Sequence, residues 1–255
     1  MFKIHSKKAG LLAALVGFGV LGSLATAQNL QPIDPLQRPK SGAGSASYSV
    51  SGGYNPQVLG NTVSVGGGLG LTAAYNVTER LAVTASTGFG ASRTETVDDA
   101  GAVTAEGNAR WNGLNVGAQY TFGGRYAPAL GLAVDLPLTG DGWGVTGSAS
   151  ASLLRDPVIL DGTLAATYRV DAEGTGTPIL SAGAGVGFVV NDAVTLRADA
   201  TQNLSFGMLT LPSSSLGFGG AYKFNEKSSL SARAVLNLVG ARSSTGLNIS
   251  YLYRP

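Results

Sequence analysis

Seven charged side chains are the groups in this sequence best placed to act on another molecule. Each belongs to a segment in which polar and apolar residues alternate, and each falls on the polar phase, among serine, threonine, glycine and amide residues. They are Asp135, Asp161, Arg169, Arg197, Asp199, Lys223 and Arg233. If the polar phases of these segments line an enclosed lumen, such groups would attract, orient or hold a polar solute electrostatically.

The sequence leaves two arrangements of these charges open. In one, the four cations form a positive wall opposite the three aspartates, and the field between the walls orients solutes in transit. In the other, which we favour, the charges pair with one another and hold the lumen closed. Arg197 and Asp199 lie two residues apart on one phase, so they could pair with each other or with neighbours.

Glycine is frequent on the same polar phase, and two explanations are open. Small residues would leave interior volume for a narrow channel, whereas glycine would also relieve curvature where a strand bends around a barrel. The glycines concerned are Gly66, Gly68, Gly70, Gly183, Gly185, Gly187, Gly217 and Gly219.

Catalysis and metal binding lack their usual residues. The sequence has no cysteine, and its one histidine, His5, lies in an N-terminal segment that we expect to be removed. Without these groups, the common nucleophile–base pairs and the imidazole or thiolate metal ligands are missing. We therefore expect no catalytic residue, no cofactor and no metal site. Asp98 and Asp99 could attract a cation weakly, but a solvated loop is the simpler interpretation.

The first residues have the features of a targeting signal. Three lysines precede an apolar run between residues 9 and 24, which ends at the small residues Ala25, Thr26 and Ala27. This order is typical of a secretory signal peptide. We expect residues 1–27 to be cleaved, and residues 28–43 to form a periplasmic linker or, alternatively, a plug that enters the lumen.

The charge balance argues against nucleic acid as a partner. The full chain has 17 Lys and Arg against 15 Asp and Glu, and three of the basic residues lie in the predicted signal peptide. The mature chain would then carry 14 basic and 15 acidic residues, a net charge of −1. It therefore lacks the clustered positive charge that binding to phosphates requires.

Alternation with a period of two residues runs through the rest of the chain and indicates β-strands. Between Thr62 and Tyr75, for example, valine, leucine, alanine and tyrosine occupy one phase, and glycine, serine and threonine occupy the other. Such segments are long enough for tilted strands to cross a membrane, which takes ~9–11 residues. The twelve predicted strands are 44–54, 61–75, 80–94, 108–122, 126–138, 143–154, 158–170, 178–190, 193–204, 214–224, 229–241 and 244–253.

The aromatic residues favour a membrane barrel over a soluble sheet. Of the 17 aromatics outside the signal peptide, 15 fall on the apolar phase, and most lie near a strand end; Trp111 and Phe206 are the exceptions. Aromatic rings at both ends of an apolar band are typical of the girdles at the two membrane interfaces. The connections between strands also tend to alternate between tight and longer ones, as the two rims of such a barrel require.

A chain of this kind must close, because an open sheet edge cannot satisfy its backbone groups in lipid. We therefore predict an all-β, antiparallel transmembrane barrel over residues 44–255 in the outer membrane of a diderm bacterium. The predicted number of strands is twelve, and ten or fourteen remain open. Outer-membrane lipids and the barrel-assembly machinery would be its partners. The alternative is a soluble sandwich or lipocalin-like barrel, which should instead fill its interior with bulky apolar groups.

From Tyr126 to Tyr253 the chain resembles the outer-membrane transporter family associated with phenol-degradation pathways. The segments that carry this resemblance are APALGLAVDLPLTGDGWG, GTLAATYRV, SAGAGVGFVVNDAVTLRADA and SLGFGGAYKF. The resemblance covers about half of the chain and lies in the order and spacing of strands and turns. The resemblance implies a barrel that passes small molecules, hydrophobic or aromatic ones among them, and it carries over no functional residue.

Two functions remain open at this point. The first is a passive channel or transporter that passes a small-molecule solute through the lumen. The second is a structural barrel, sealed by its own side chains, that anchors the envelope or binds a partner through its outer loops. A continuous polar path would favour the first, and interlocked Arg–Asp pairs would favour the second.

Overall fold

The computed structural model of the chain describes residues 43–59, 61–98, 101–137, 142–206, 212–239 and 242–255. The predicted signal peptide and nearly all of the predicted linker or plug lie outside these described residues. Within the described ranges, no helix is both long and apolar enough to cross a membrane.

Twelve antiparallel strands form the fold in the predicted order. Each strand pairs with the next along the chain, and the last pairs with the first, so the sheet closes into a barrel. This confirms the twelve-stranded architecture. The strands are β1 (Ala46–Leu59), β2 (Thr62–Asn76), β3 (Leu81–Val97), β4 (Val103–Thr121), β5 (Ala129–Leu136), β6 (Trp143–Arg155), β7 (Val158–Val170), β8 (Gly176–Asn191), β9 (Val194–Ser205), β10 (Ser213–Lys223), β11 (Ser228–Val239) and β12 (Arg242–Tyr253).

The two faces of the sheet have the opposite polarity to those of a soluble barrel. Large apolar side chains point outward and are exposed, as at Leu69 and Leu164, which are 63% and 64% exposed. Small polar side chains point inward and are buried, as at Ser64 and Thr146, which are 2% and 3% exposed. An apolar exterior of this extent is a surface for lipid, and the hydrogen-bonded, closed sheet is the form that lipid permits.

At one end of the barrel four of the five connections are tight, with two to four residues, and the fifth spans residues 122–128. We call this end the terminal rim because β1 begins and β12 ends there. At this rim Thr78 Oγ1 accepts a hydrogen bond from Leu81 N–H at 2.9 Å. Asn191 Oδ1 accepts one from Val194 N–H, also at 2.9 Å. Short side chains that bond the backbone a few residues ahead stabilise turns of this kind.

The opposite end is the distal rim, and two of its connections share one turn motif. Asp98 Oδ1 accepts a hydrogen bond from Ala102 N–H at 2.7 Å, and Asp171 Oδ1 accepts one from Thr175 N–H at 2.6 Å. The residue before each donor is a glycine in the left-handed region, with φ of +82° and +85°. Only glycine adopts this conformation without a steric penalty, which explains the shared Asp-x-x-Gly spacing.

Aromatic pairs mark both rims on the outer surface. At the terminal rim, Tyr120 with Phe122 and Tyr222 with Phe224 stack edge to face, each pair with ring centroids 5.0 Å apart. At the distal rim, Trp143 of β6 contacts Tyr168 of β7 across the strands at 6.4 Å. These two tiers are the girdles that the sequence predicts, and they bound the lipid-facing band.

Trp111 belongs to the distal girdle, so its prediction as an exception to the aromatic pattern was wrong. Asn112 and Gly113 of β4 lie opposite the single residue Gly88 of β3, which forms a β-bulge. The bulge shifts the phase of β4, so Trp111 pairs with Phe89 on the outer face. Such an inserted residue reverses the side-chain alternation on one side of it.

The β3–β4 hairpin extends farther beyond the distal girdle than predicted. The sequence places a loop between residues 96 and 107, whereas β3 continues to Val97 and β4 begins at Val103. Residues 103–109 are all exposed, so this part of the hairpin buries no apolar face. Because an apolar phase is the main sequence signal for a strand, the extension gives no period-two pattern.

Candidate functional site

The seven inward-facing charges that the sequence predicts lie on one side of the lumen. The seven predicted residues occupy β5, β7, β9, β10 and β11, on the phase that alternates with the exposed apolar residues. In the described parts of β1, β2 and β3, in residues 114–121 of β4 and in residues 244–253 of β12, the inward phase carries no charged residue. We call β5–β11 the charged wall and these parts of β12 and β1–β4 the neutral wall. Glu106 and Arg110 of β4 lie outside the neutral wall so defined, on the distal side of the β-bulge, in register with Thr94 and Gly90 of β3.

Four of the predicted residues join into one chain of ion pairs, which we call the ladder. Arg197 of β9 donates to Asp161 of β7 at 2.8 Å, and its Nε lies 3.7 Å from Asp199 of the same strand. Arg233 of β11 donates through Nε to Asp199 Oδ1 at 3.0 Å, and its Nη2 bonds the other carboxylate oxygen. Carboxylates and guanidinium groups therefore alternate along the ladder. It spans the five adjacent strands from β7 to β11, and its side chains come from β7, β9 and β11.

Glycines on the intervening strands make the ladder possible. Gly185 of β8 lies in register with both Asp161 and Asp199. A Cβ at this position would lie 2.5 Å from Arg197 Nη2 and 2.6 Å from the Asp161 carboxylate. At Gly217 of β10, a Cβ would collide with the guanidinium group of Arg233.

This steric role is a third explanation for inward-facing glycine, beside interior volume and curvature. It applies where a side chain must cross a strand to reach its partner, and it does not apply to every inward glycine of the charged wall. At Gly183, two residues from Gly185 on the same strand, a Cβ would meet its nearest atom, Thr201 Oγ1, at an ordinary contact distance of 3.4 Å.

The two signs of the ladder are not equally accessible. The side chains of Asp161 and Asp199 are 2% and 13% exposed, whereas those of Arg197 and Arg233 are 20% and 25% exposed. The carboxylates therefore lie beneath the guanidinium groups and orient them. Because a guanidinium group has five N–H donors, each arginine keeps donors beyond those that its aspartate uses.

A second group, which we call the distal trio, consists of Asn115 of β4, Asp135 of β5 and Arg169 of β7. Asn115 Nδ2 donates to Asp135 Oδ1 at 2.7 Å. Asp135 lies in register with Gly144 of β6, and Gly144 lies in register with Arg169. Among the contacts between described residues, no ion pair joins Asp135 to Arg169.

Lys223 lies apart from both groups, at the end of β10 near the terminal rim. It is in register with Ser229 of β11, and it forms no ion pair with another described residue. The structure thus brings four of the seven predicted residues together, aligns two others without joining them, and leaves Lys223 alone. It does not place the two signs on opposite walls, because they alternate along one wall.

Sequence reasoning missed the role of Gly144, Gly185 and Gly217. The charged residues of the ladder and trio lie on the odd strands from β5 to β11, and these three glycines lie on β6, β8 and β10. The position of each glycine between an aspartate and an arginine can be recognised only when the register between neighbouring strands is known. No group of three or more potential metal ligands occurs among the residues that the structure describes.

The sequence matches no protein-family model and no curated protein. Solved structures resemble it in fold. An outer membrane channel from Pseudomonas putida F1 is similar with a TM-score of 0.62 and 17% identity, covering 88% of this chain and 100% of that one. The translocator domain of the autotransporter NalP from Neisseria meningitidis has a TM-score of 0.57 and 14% identity, covering 97% and 100%.

The NanC porin is similar at a TM-score of 0.57 and 10% identity, covering 81% of this chain and 98% of the porin. At these identities the likeness establishes the fold. The chain has the fold of the outer-membrane β-barrels, among which are channels and porins, and the outer-membrane location predicted from the sequence agrees with it.

Proposed function

We propose that the protein is an outer-membrane channel that passes small polar solutes through its lumen. The observation that carries this proposal is the ladder, which presents two fixed guanidinium groups on one wall while the facing wall is neutral and built of small residues. Donors held in place beside an uncharged surface can bind a passing solute briefly and release it.

The small residues of the neutral wall support an open path. The inward phases of β2 and β3 include Gly66, Gly68, Gly70, Gly88 and Gly90. A sealed barrel would need large side chains from opposite walls to interdigitate at native packing density. Twelve strands also enclose a wider interior than the eight-stranded barrels whose side chains fill them.

The inward charges predict a weak preference for anions. Four cations and three carboxylates lie on the inward phases of the charged wall, and the carboxylates of the ladder are the less exposed partners. A solute in the lumen would therefore meet positive charge more often than negative charge. Exposed positive groups along a narrow path favour anions over cations.

The test is single-channel conductance of the refolded mature protein in a planar bilayer. We expect discrete steps with a slight anion preference, which falls in Arg197→Ala and Arg233→Ala. Arg93→Ala is the matched control, because Arg93 pairs with Glu95 on the outer face. A preparation shown to be folded that gives no conductance would contradict the proposal.

One observation favours the competing function, a sealed structural barrel that anchors the envelope or binds a partner through its loops. The ladder ties five strands together, and paired charges of this kind can serve rigidity alone. In that case the wild-type barrel would not conduct, and removal of an arginine would lower stability without opening a path.

A further inference from the structure

We propose that the distal trio binds a zwitterionic solute of amino-acid size where it enters the lumen at the distal rim. The ammonium group of the solute would bond Asp135, and its carboxylate would bond Arg169. This inference rests on the proposed channel function, because the trio would be the first binding position along the path.

The fold holds the two charged ends of this site opposite each other. Asp135 and Arg169 each occupy the second-to-last position of their strands at the distal end, on the inward phase. Register places Gly144 directly between them. Their backbones are therefore two strand spacings apart, about 9–10 Å, with a floor that has no side chain.

The bonding of the two ends leaves one position between them open. Asp135 Oδ1 is bonded to Asn115, and Asp135 Oδ2 extends over the floor, 3.3 Å from where a Cβ of Gly144 would lie. Neither Asp135 Oδ2 nor the guanidinium group of Arg169 bonds to another described residue. The carboxylate oxygen thus lies over Gly144, and Arg169 lies on the inward phase in register with the same glycine.

The ladder differs from the trio in register. There, Asp161 is in register with Gly185, whereas Arg197 is in register with Gly187, two residues farther along β8. The pair closes diagonally across Gly185 by direct contact at 2.8 Å. In the trio, Asp135 and Arg169 share one row with Gly144 and form no ion pair, so a ligand can bridge them.

The chemistry of the two ends selects the ligand class. A carboxylate accepts hydrogen bonds from an ammonium group, and a guanidinium group binds a carboxylate with two parallel N–H donors. In an α-amino acid the two charged groups are joined by a single carbon atom, which the glycine floor can accommodate. A solute with only one of these groups would leave the other end of the site unpaired.

The test is calorimetric titration of the refolded mature protein in detergent micelles with L-alanine, propionate and ethylamine. Propionate lacks the ammonium group of alanine, and ethylamine lacks its carboxylate. We expect saturable binding of alanine and about tenfold weaker binding of each analogue, the usual effect of losing one charge-assisted hydrogen bond. Asp135→Asn and Arg169→Gln should each weaken alanine binding by about the same factor.

Lys223→Gln is the matched control, because it removes an inward cation that belongs to neither group, and it should leave alanine binding unchanged. Equal binding of the three solutes, no binding of alanine, or unchanged binding in both trio variants would overturn the site. Conductance of the same preparations separates the two proposals. A barrel that conducts without binding alanine refutes the site alone, and one that binds without conducting refutes the channel alone.

Discussion

Two glycines on each wall of the lumen are required for different physical reasons. On the charged wall, Gly185 and Gly217 leave room for guanidinium groups that cross a strand to reach their aspartates. On the neutral wall, a Cβ at Gly68 would lie 3.0 Å from the backbone oxygen of Phe89, and one at Gly88 would lie 2.9 Å from that of Leu69. There, glycine permits a close approach between the backbones of β2 and β3.

Replacing glycine by a larger residue should therefore have different effects at these two pairs of positions. A side chain added at Gly185 or Gly217 would displace the paired ions, so it should alter both stability and the passage of solutes. A side chain added at Gly68 or Gly88 would press on the backbone, so it should alter stability alone. Function and structural integrity can therefore be perturbed separately in one barrel.

The largest effect is expected when the ladder loses its shared carboxylate. Asp199→Asn removes the charge that lies between Arg197 and Arg233 while keeping the shape of the side chain. Arg233 then loses its carboxylate partner, and Arg197 keeps only Asp161. Because the two part-buried guanidinium groups repel each other more strongly, the free energy of unfolding should fall by about 2 kcal/mol. Guanidinium chloride unfolding of the refolded barrel in micelles measures this change.

The same variant should raise the preference of the channel for anions, which reversal potentials in a salt gradient measure. Ser49→Ala, an inward substitution on the neutral wall away from the ladder, is the control and should leave the selectivity as it is. An Asp199→Asn barrel with wild-type stability and selectivity would mean that the ladder couples neither to folding nor to the lumen.

A smaller effect is expected at the glycine that the ladder crosses. Gly185→Ala should displace the Asp161–Arg197 pair toward the lumen, lower the conductance, and destabilise the barrel by about 1–2 kcal/mol, as overpacking does. Gly183→Ala, on the same strand and the same phase, should change neither property. Gly88→Ala should lower stability with the conductance per open channel unchanged.

A double substitution identifies the cause. If Gly185→Ala acts by pushing Arg197, then combining it with Arg197→Ala should remove most of the added loss in conductance, because the displaced group is gone. Additive effects of the two changes would mean that the alanine acts on the backbone of β8 instead, and the two walls would not differ in the way described.

The sequence predicts the strands well because the requirement for an apolar outer face and a polar inner face is local to each strand. It fails where that requirement is absent or interrupted. The distal part of the β3–β4 hairpin has no apolar face, and one inserted residue at Gly113 reversed the predicted orientation of Trp111. The predicted first strand ends at residue 54, whereas β1 continues through Pro56 to Leu59, paired with β2 alone. Its pairing with β12 ends at Tyr54 and Leu247, so the proline lies where β1 has a partner on one side only.

The site is less predictable than the fold for a related reason. The seven charges can be found from alternation alone, but their partners lie on strands that are not adjacent. Asp161 meets Arg197 because Gly185 stands in register between their strands, and register between glycine-rich strands is only weakly specified by the residues themselves. The trio and the ladder both place aspartate, glycine and arginine on successive strands, and they differ in register and in their contacts.

The smallest effect is expected at Lys223, the inward cation of the charged wall that belongs to neither group. Lys223→Gln breaks no ion pair between described residues, so the free energy of unfolding should stay within about 0.5 kcal/mol of the wild-type value. Its charge lies near the terminal rim, so the preference for anions should fall slightly, and less than in Arg197→Ala. Reversal potentials at low and high salt measure this, since screening should abolish the small shift first. A larger shift at Lys223 than at the ladder would locate the selective part of the lumen at the terminal rim, and the contrast between the two walls would then not account for selectivity.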